Sequence, residues 1–227
     1  MANGIENNIE NNMENNMENN MENNIENNIE NNMENSMEND IENDMENNIK
    51  NNIEDKKKYI ENINKDIEDA QYVLIGIGSG LIKKNVDEKQ NEQYTAILNA
   101  IAKKFEKNNY FILYSGTSDV VRNSLLNEKR ISCPMIENEN EEKQWDFYNK
   151  WISSSLNKKI VIIEIAEGFN NPNVIRWPFE KITMINEKAR MYRINNTFYQ
   201  VPKEIAEKAA AIKTDELDFL KELVGGC

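Results

Sequence analysis

The residues best suited to chemistry lie in a short segment near the end of the first third of the chain. A β-branched apolar run, Val73-Leu74-Ile75, leads directly into Gly76, Gly78 and Gly80. A buried parallel strand that enters a glycine-rich loop can bring backbone N–H groups close to a phosphate. Glycine suits such a loop because a Cβ atom would block close approach and would disfavour a positive φ. The segment therefore predicts a nucleotide-binding loop.

Alternating strands and helices would position this loop. Further buried strands are predicted in NNYFILYSG, KKIVIIEIAEGF and ARMYRIN. Apolar residues at helical spacing predict helices in KKKYIENINKDIEDA and over residues 92–107, 145–156 and 202–223, whereas residues 131–144 have the composition of a polar loop. This alternation favours an α/β fold with a parallel sheet and helices on both sides.

The ends of the predicted strands define where a ligand would bind. In parallel α/β sheets, ligands bind at the carboxyl ends of the strands. Those ends are residues 76–80, 115–119, 164–168 and 193–195. We therefore expect these four segments to lie at one edge of the sheet.

The first 54 residues differ in composition from the rest. Ile or Met recurs at every fourth position from 5 to 53, and residues 1–54 hold 14 acidic residues and one lysine. On a helix, a four-residue period drifts by about 40° per repeat, so the apolar residues hold no single face. We expect a disordered, solvated tail, with a marginal helix as the alternative. Either an unidentified protein partner binds the repeat, or the repeat has little selected role.

Residues 55–227 form the predicted globular domain. They hold 26 acidic and 26 basic residues, so no basic excess exists to bind nucleic acid. No apolar run approaches the roughly 18 residues of a membrane span, and the N-terminus lacks signal-peptide features. Two cysteines, Cys133 and Cys227, exclude a disulfide framework and a four-cysteine zinc site. We expect a soluble, cytoplasmic protein without zinc.

Three segments together resemble a known family. YVLIGIGSGL resembles the opening strand and glycine loop of the sirtuin (Sir2) family of NAD-dependent protein deacylases and ADP-ribosyltransferases. Residues 158–205 resemble a bacterial Sir2-like branch, with a Gly-Phe-x-x-Pro turn, an Arg-Trp-Pro-Phe-Glu box and Arg-Ile-Asn. YFILYSGTSDVVRNSLLNEKRISCP is similar to the family's central strand and the loop after it. The resemblance implies a Rossmann-like parallel sheet flanked by helices.

The resemblance also implies which residues contact NAD or ADP-ribose. Gly76, Gly78, Ser79 and Gly80 would line the diphosphate, or would only form a tight turn. The family's Gln-Asn-Ile-Asp motif falls on residues 116–119 and retains only its aspartate.

Within that motif, Thr117 and Asp119 would contact the cofactor. Asp119 is the candidate catalytic residue and carboxamide acceptor, and a helix N-cap is its alternative role. Asn195 would contact the adenine-side ribose and Gly168 the ligand, or both would only form turns.

Other polar and aromatic residues favour structural roles. We expect Glu167 to be a solvated loop charge and residues 176–180 to form a packing and ion-pair box. An aromatic helix face that includes Trp145 and Trp151 is typical of a core or an interface. Cys133 has no histidine partner and is not expected to act as a nucleophile.

The departures from the family limit the expected activity. The sequence contains no histidine, so the base that activates a ribose hydroxyl in deacylation is missing. LIKKNVDEKQNEQ replaces the family's cofactor loop, and the small zinc domain is missing. We expect a domain that binds NAD or ADP-ribose without deacylating. The alternatives are an active NAD-dependent ADP-ribosyltransferase or deacylase, and a non-enzymatic interaction module with a repeat arm.

Overall fold

The computed structural model of the chain describes residues 53–83, 87–137 and 139–225. Residues 1–52 lie outside these ranges, so the state of the repeat and the domain boundary after residue 54 stay predictions. The strands are β1 Tyr72–Ile77, β2 Tyr110–Tyr114, β3 Ile131–Ser132, β4 Ile160–Ile165, β5 Ala189–Ile194 and β6 Ala209–Ile212. The helices are α1 (residues 53–69), α2 Glu88–Phe105, α3 Glu141–Ser154, α4 Arg176–Ile185 and α5 Glu216–Leu223.

The six strands form one parallel sheet in the order β3-β2-β1-β4-β5-β6. The first strand, β1, lies in the middle of the sheet. Strands β2 and β3 are added on one side of β1, and β4, β5 and β6 are added on its other side. The direction of strand addition therefore reverses between β1 and β4, which is the switch point where doubly wound sheets bind ligands. The predicted α/β class with a Rossmann-like sheet is confirmed.

Both faces of the sheet are buried, which explains the uninterrupted apolar runs of the central strands. Val73, Ile75 and Ile77 point into one core, which α1, α2 and α5 cover. Leu74 points into the opposite core beneath α3 and α4, as the two-residue period of a strand requires. The predicted buried face of α2 is confirmed at Tyr94, Ile97, Leu98, Ile101 and Phe105.

Two predicted elements were wrong because tertiary pairing overrides local preference. Residues 202–223 do not form one helix: β6 interrupts them, and the remaining helix is α5. The alanines of β6 favour a helix locally, but here they complete the ladder with β5, from Met191–Ala209 to Ile194–Ile212. Residues 131–144 are not only loop, since they contain β3 and the start of α3. Helix α4 was not predicted.

The described helices are each too short or too polar to span a bilayer. The cytoplasmic location stays a prediction.

Candidate functional site

The carboxyl ends of β1, β2, β4 and β5 meet at the switch point, as predicted for the four strand-end segments. Hydrogen bonds of side chains and of a backbone amide connect the loops that follow these strands. The N–H of Ser79 donates to the Ser115 hydroxyl at 3.0 Å, and that hydroxyl donates to Oε2 of Glu167 at 2.5 Å. The side-chain amide of Asn195 donates to the carbonyl oxygen of Glu167 at 2.9 Å. We call these four residues the switch-point cluster.

The glycines of the first loop are required by internal packing. A Cβ atom on Gly78 would lie 2.2 Å from the carbonyl oxygen of Ala166, and one on Gly80 would lie 2.8 Å from the same oxygen. On Gly76, it would lie 2.6 Å from side-chain atoms of Ile175 and Phe179. None of the three glycines has a positive φ. The expected need for positive φ was therefore wrong, and close packing against β4 and α4 is the reason for glycine.

The backbone amides of this loop donate to the protein itself. The N–H of Gly78 donates to the carbonyl oxygen of Ile165 at 2.7 Å, and the N–H of Gly80 donates to the carbonyl oxygen of Ala166 at 3.2 Å. The N–H of Leu81 donates to Gly78 at 3.2 Å, and Ser79 is committed to the switch-point cluster. A diphosphate at this edge would therefore meet amides that already have acceptors. Direct contact of residues 76–80 with a cofactor stays a prediction.

Glu167 is the functional candidate that sequence reasoning missed. The residue is only 1% exposed, so the expected solvated loop charge was wrong. Among the described residues, its Oε1 is the one buried side-chain polar atom without a hydrogen-bond partner. Burial, reinforced by the charge of Glu164, raises the pKa of Glu167 to about 7, although the Ser115 hydrogen bond opposes the shift. An acidic residue two positions after the end of a strand that is buried on both faces was the available signal.

The backbone just before Glu167 is strained. Ala166 has a φ of 55°, in the left-handed region that costs a non-glycine residue about 1–2 kcal/mol. Its N–H donates to Ile194 at 3.0 Å, and its carbonyl accepts from Gly80. These bonds hold the strained turn that aims Glu167 inward.

A buried ion-pair network lies beneath the cluster. Arg193 donates to both oxygens of Glu164, at 2.6 and 3.0 Å, and to Glu180 of α4 at 2.8 Å. Burial raises the pKa of Glu164, and the charge and hydrogen bonds of Arg193 oppose that shift. The ion-pair role expected for the box at 176–180 is confirmed at Glu180, whereas Trp177 is 51% exposed and does not belong to the core.

Arg176 fixes the loop after β4. Its guanidinium donates to the carbonyl oxygens of Glu167 at 3.1 Å, Gly168 at 3.3 Å and Phe198 at 2.6 Å. It also lies 4.5 Å from the centre of the Phe169 ring, in a cation–π contact. The side chain of Arg176 therefore holds the backbone of the loop after β4 in place.

The motif on residues 116–119 presents two exposed side chains, those of Thr117 and Asp119. The chain forms a single 3₁₀ turn at Asp119–Val121, and Ser118 rather than Asp119 is its N-cap. The N-cap alternative for Asp119 was therefore wrong. The contacts of Thr117 and Asp119 with a cofactor stay predictions.

Asn195 and Gly168 have different surroundings. The side-chain oxygen of Asn195 accepts from the N–H groups of Thr197 at 2.9 Å and Phe198 at 2.7 Å. Together with its bond to Glu167, these contacts give Asn195 a turn-forming role. Around Gly168 there is space, because a Cβ there would come no nearer than 3.8 Å to Phe198. Ligand contact by either residue stays a prediction.

The remaining nucleophile and metal candidates are weak. Cys133 is buried, and burial raises the pKa of its thiol to about 12, which opposes formation of the reactive thiolate. Within the described ranges, no three Cys, His, Asp or Glu side chains gather to hold a metal ion. The prediction that the protein uses no zinc remains untested.

Comparison with known proteins gives a distant relationship. No family model matches the chain. The chain is similar to a protein named Protein ADP-ribosyltransferase from Staphylococcus aureus (strain Mu50 / ATCC 700699), with 26% identity over 90 residues. The match covers 40% of this chain and only 29% of that protein. It supports an ADP-ribosyltransferase-like relationship and does not test the sirtuin resemblance specifically.

Proposed function

We propose that this chain is a sirtuin-type domain that binds NAD or ADP-ribose at the switch point between β1 and β4. The observation that carries the proposal is the strand order, which puts all four predicted site segments at the place where such sheets bind nucleotides. The similarity to an ADP-ribosyltransferase supports the same ligand class.

The exposed groups at this edge fit a nucleotide better than the buried ones. Asp119 would accept the carboxamide N–H of the cofactor, and the hydroxyl of Thr117 would donate to it or accept from it. The open space beside Gly168 leaves room for the ligand. Asn195 and the loop amides support the site from behind, since they are engaged in internal hydrogen bonds. When bound, NAD supplies a ribose whose bond to nicotinamide can be cleaved.

Binding without deacylation is the form of the proposal that the residues favour. The chain has no histidine to serve as a base with a pKa near neutrality. An active NAD-dependent ADP-ribosyltransferase is the second candidate, because cleavage of the nicotinamide bond depends mainly on positioning and charge stabilisation. The name of the Staphylococcus relative favours it. A non-enzymatic interaction module is the third, with the repeat as its arm.

Three measurements on the full chain separate these functions: thermal unfolding, nicotinamide release and deacylation of acyl-lysine peptides. Thermal unfolding with and without NAD or ADP-ribose detects binding, and nicotinamide release from NAD detects catalysis. We expect both nucleotides to raise the midpoint of unfolding, with no deacylation of acyl-lysine peptides. Nicotinamide release that Asp119→Ala abolishes and Asp69→Ala preserves would establish an enzyme that cleaves NAD. Asp69 is exposed and lies at the opposite edge of the sheet. Absence of any thermal shift and of any release would leave only the interaction module.

A further inference from the structure

The charges around Glu167 balance only when this residue is neutral. Glu164 faces it from β4, Arg176 from α4 and Arg193 from β5. Glu180 of α4 joins the same network through Arg193. The loop after β2 contributes the uncharged hydroxyl of Ser115. With Glu167 ionised, three carboxylates face two guanidinium groups, whereas protonation of Glu167 leaves two of each.

The two cations are also engaged by internal acceptors. Arg193 binds both oxygens of Glu164, one of Glu180 and the carbonyl of Gln200, at 2.6 to 3.0 Å. Arg176 binds three backbone carbonyls. A diphosphate arriving at the switch point would therefore add negative charge beside Glu167 with little cationic compensation from this network. Loss of the charge on Glu167 is the simplest way to accommodate the ligand.

We infer that Glu167 is a positioning residue, which must be neutral before the switch point accepts the diphosphate of the nucleotide, so that ligand binding takes up one proton. The inference rests on the proposed function. The residue acts through the hydrogen-bond chain from Ser79 to Ser115 to Glu167, which links the loops after β1, β2 and β4. Its unpartnered Oε1 gives the charged form no further hydrogen bond within the described residues.

The composition of the chain makes this proton measurable. There is no histidine, and the thiol of Cys133 has a pKa near 12, so these groups do not titrate between pH 6 and pH 8. ADP-ribose does not titrate in this range either, because each of its phosphates is a diester-type group with a single, strongly acidic proton. A pH dependence in this range that Glu167→Gln abolishes therefore reports on Glu167.

The size of the effect follows from the pKa. A carboxyl with a pKa of about 7 is about nine-tenths protonated at pH 6 and about one-tenth at pH 8. If only the neutral form binds ADP-ribose, the dissociation constant rises about tenfold between these pH values. Proton uptake per bound ligand rises from about 0.1 to about 0.9 over the same range.

The test is isothermal titration of the full-length wild-type chain with ADP-ribose at pH 6, 7 and 8. Each pH is measured in two buffers of different ionisation enthalpy, which gives the number of protons taken up. Weakening of at least threefold, with proton uptake, supports the inference. A smaller change or no uptake overturns the inference and leaves the proposed function standing. Failure to bind at every pH overturns both.

Three variants identify the titrating group. Glu167→Gln mimics the neutral form, so it should bind at pH 8 as tightly as the wild type at pH 6, without proton uptake. Ser115→Ala removes a hydrogen bond that lowers the pKa of Glu167, so the midpoint of the pH profile should move to higher pH. The matched control Glu187→Gln removes an exposed charge at the opposite edge and should keep the wild-type profile.

Thermal unfolding of each variant shows whether it is folded. A Ser115→Ala midpoint equal to that of the wild type would assign the proton to another group and overturn the inference. Where Glu167→Gln does not fold, the wild-type proton count and the midpoint of the Ser115→Ala profile together decide the question.

Discussion

The two edges of the sheet carry similar charges in opposite environments. At the carboxyl edge, Glu164, Arg176 and Arg193 are each buried and lie in one network. At the amino edge of β4 and β5, four acidic and four basic side chains line an open cleft of about 590 Å³. Lys159 and Asp69 form an ion pair there at 3.8 Å, with both side chains more than half exposed.

Burial, rather than the number of charges, separates the two edges. Water screens the charges of the amino edge, so pairs there add little to stability. At the carboxyl edge, desolvation raises the pKa of both Glu164 and Glu167 and makes each lost partner costly. The open cleft of the amino edge is therefore not the place of the perturbed chemistry, which lies at the switch point.

Among variants that compare the two edges, Glu164→Gln is expected to lower the free energy of unfolding the most. The change leaves buried Arg193 without its bidentate partner, although Glu180 remains, and should lower the free energy of unfolding by about 3 kcal/mol. Urea unfolding of the full chain measures it. A loss below about 1 kcal/mol would mean that the buried network contributes no more than a surface pair.

A second large effect is expected from Gly78→Ala. The added Cβ would meet the backbone oxygen of Ala166 at 2.2 Å, so β1 and β4 must move apart at their carboxyl ends, at a cost of about 1–3 kcal/mol. Gly168→Ala is the matched control. Its Cβ has ordinary space, and its stability should stay within about 0.5 kcal/mol of the wild type. Equal midpoints for the two variants in thermal unfolding would contradict the packing explanation.

A pH-dependent effect is expected from Glu167. Because its pKa rises from 4.5 in the unfolded chain to about 7 in the folded protein, the folded state holds the proton more tightly. Stability should therefore fall as pH rises from about 4.5 to 7 and level off above that range. Relative to Glu167→Gln, the wild type should lose roughly 2 kcal/mol, given about 1.36 kcal/mol per pKa unit and some screening by water.

Urea unfolding of both proteins at pH 5, 6, 7 and 8 isolates this term, since all other groups are shared. A constant difference between the two proteins would show that Glu167 ionises normally.

The smallest effect is expected at the amino edge. Asp69→Asn removes the exposed partner of Lys159 and should change the free energy of unfolding by less than about 0.5 kcal/mol. High salt should reduce this difference further, because salt screens exposed charges. Destabilisation similar to that of Glu164→Gln would remove the contrast between the edges.

Much of the fold was readable from local pattern. The largely apolar runs of β1, β2 and β4 and the helical spacing of α2 predicted their elements, because burial on both faces leaves few polar positions in a strand. Strand β3 has two residues and β6 is rich in alanine, so neither carries a local signal strong enough to predict it. Both form because a neighbouring strand offers unpaired hydrogen-bonding groups.

For the candidate site, too, some features were predictable from the sequence and others were not. The sequence placed four segments at the ends of strands, and the structure brings them to one edge. It could not show that the amides of the glycine loop are already paired, because their acceptors come from distant residues such as Ile165 and Ala166. For the same reason, Glu167 looked like a solvated charge.

The sequence by itself determined the α/β class, the positions of the main strands, the lack of histidine and the concentration of net charge in the first 54 residues. These properties depend on composition and on periodicity within one segment. The tertiary structure alone decided the strand order, the packing reason for Gly76, Gly78 and Gly80, and the burial of Glu167. Each of these depends on atoms far apart in the chain, whose contacts set the dielectric environment and the space around a residue.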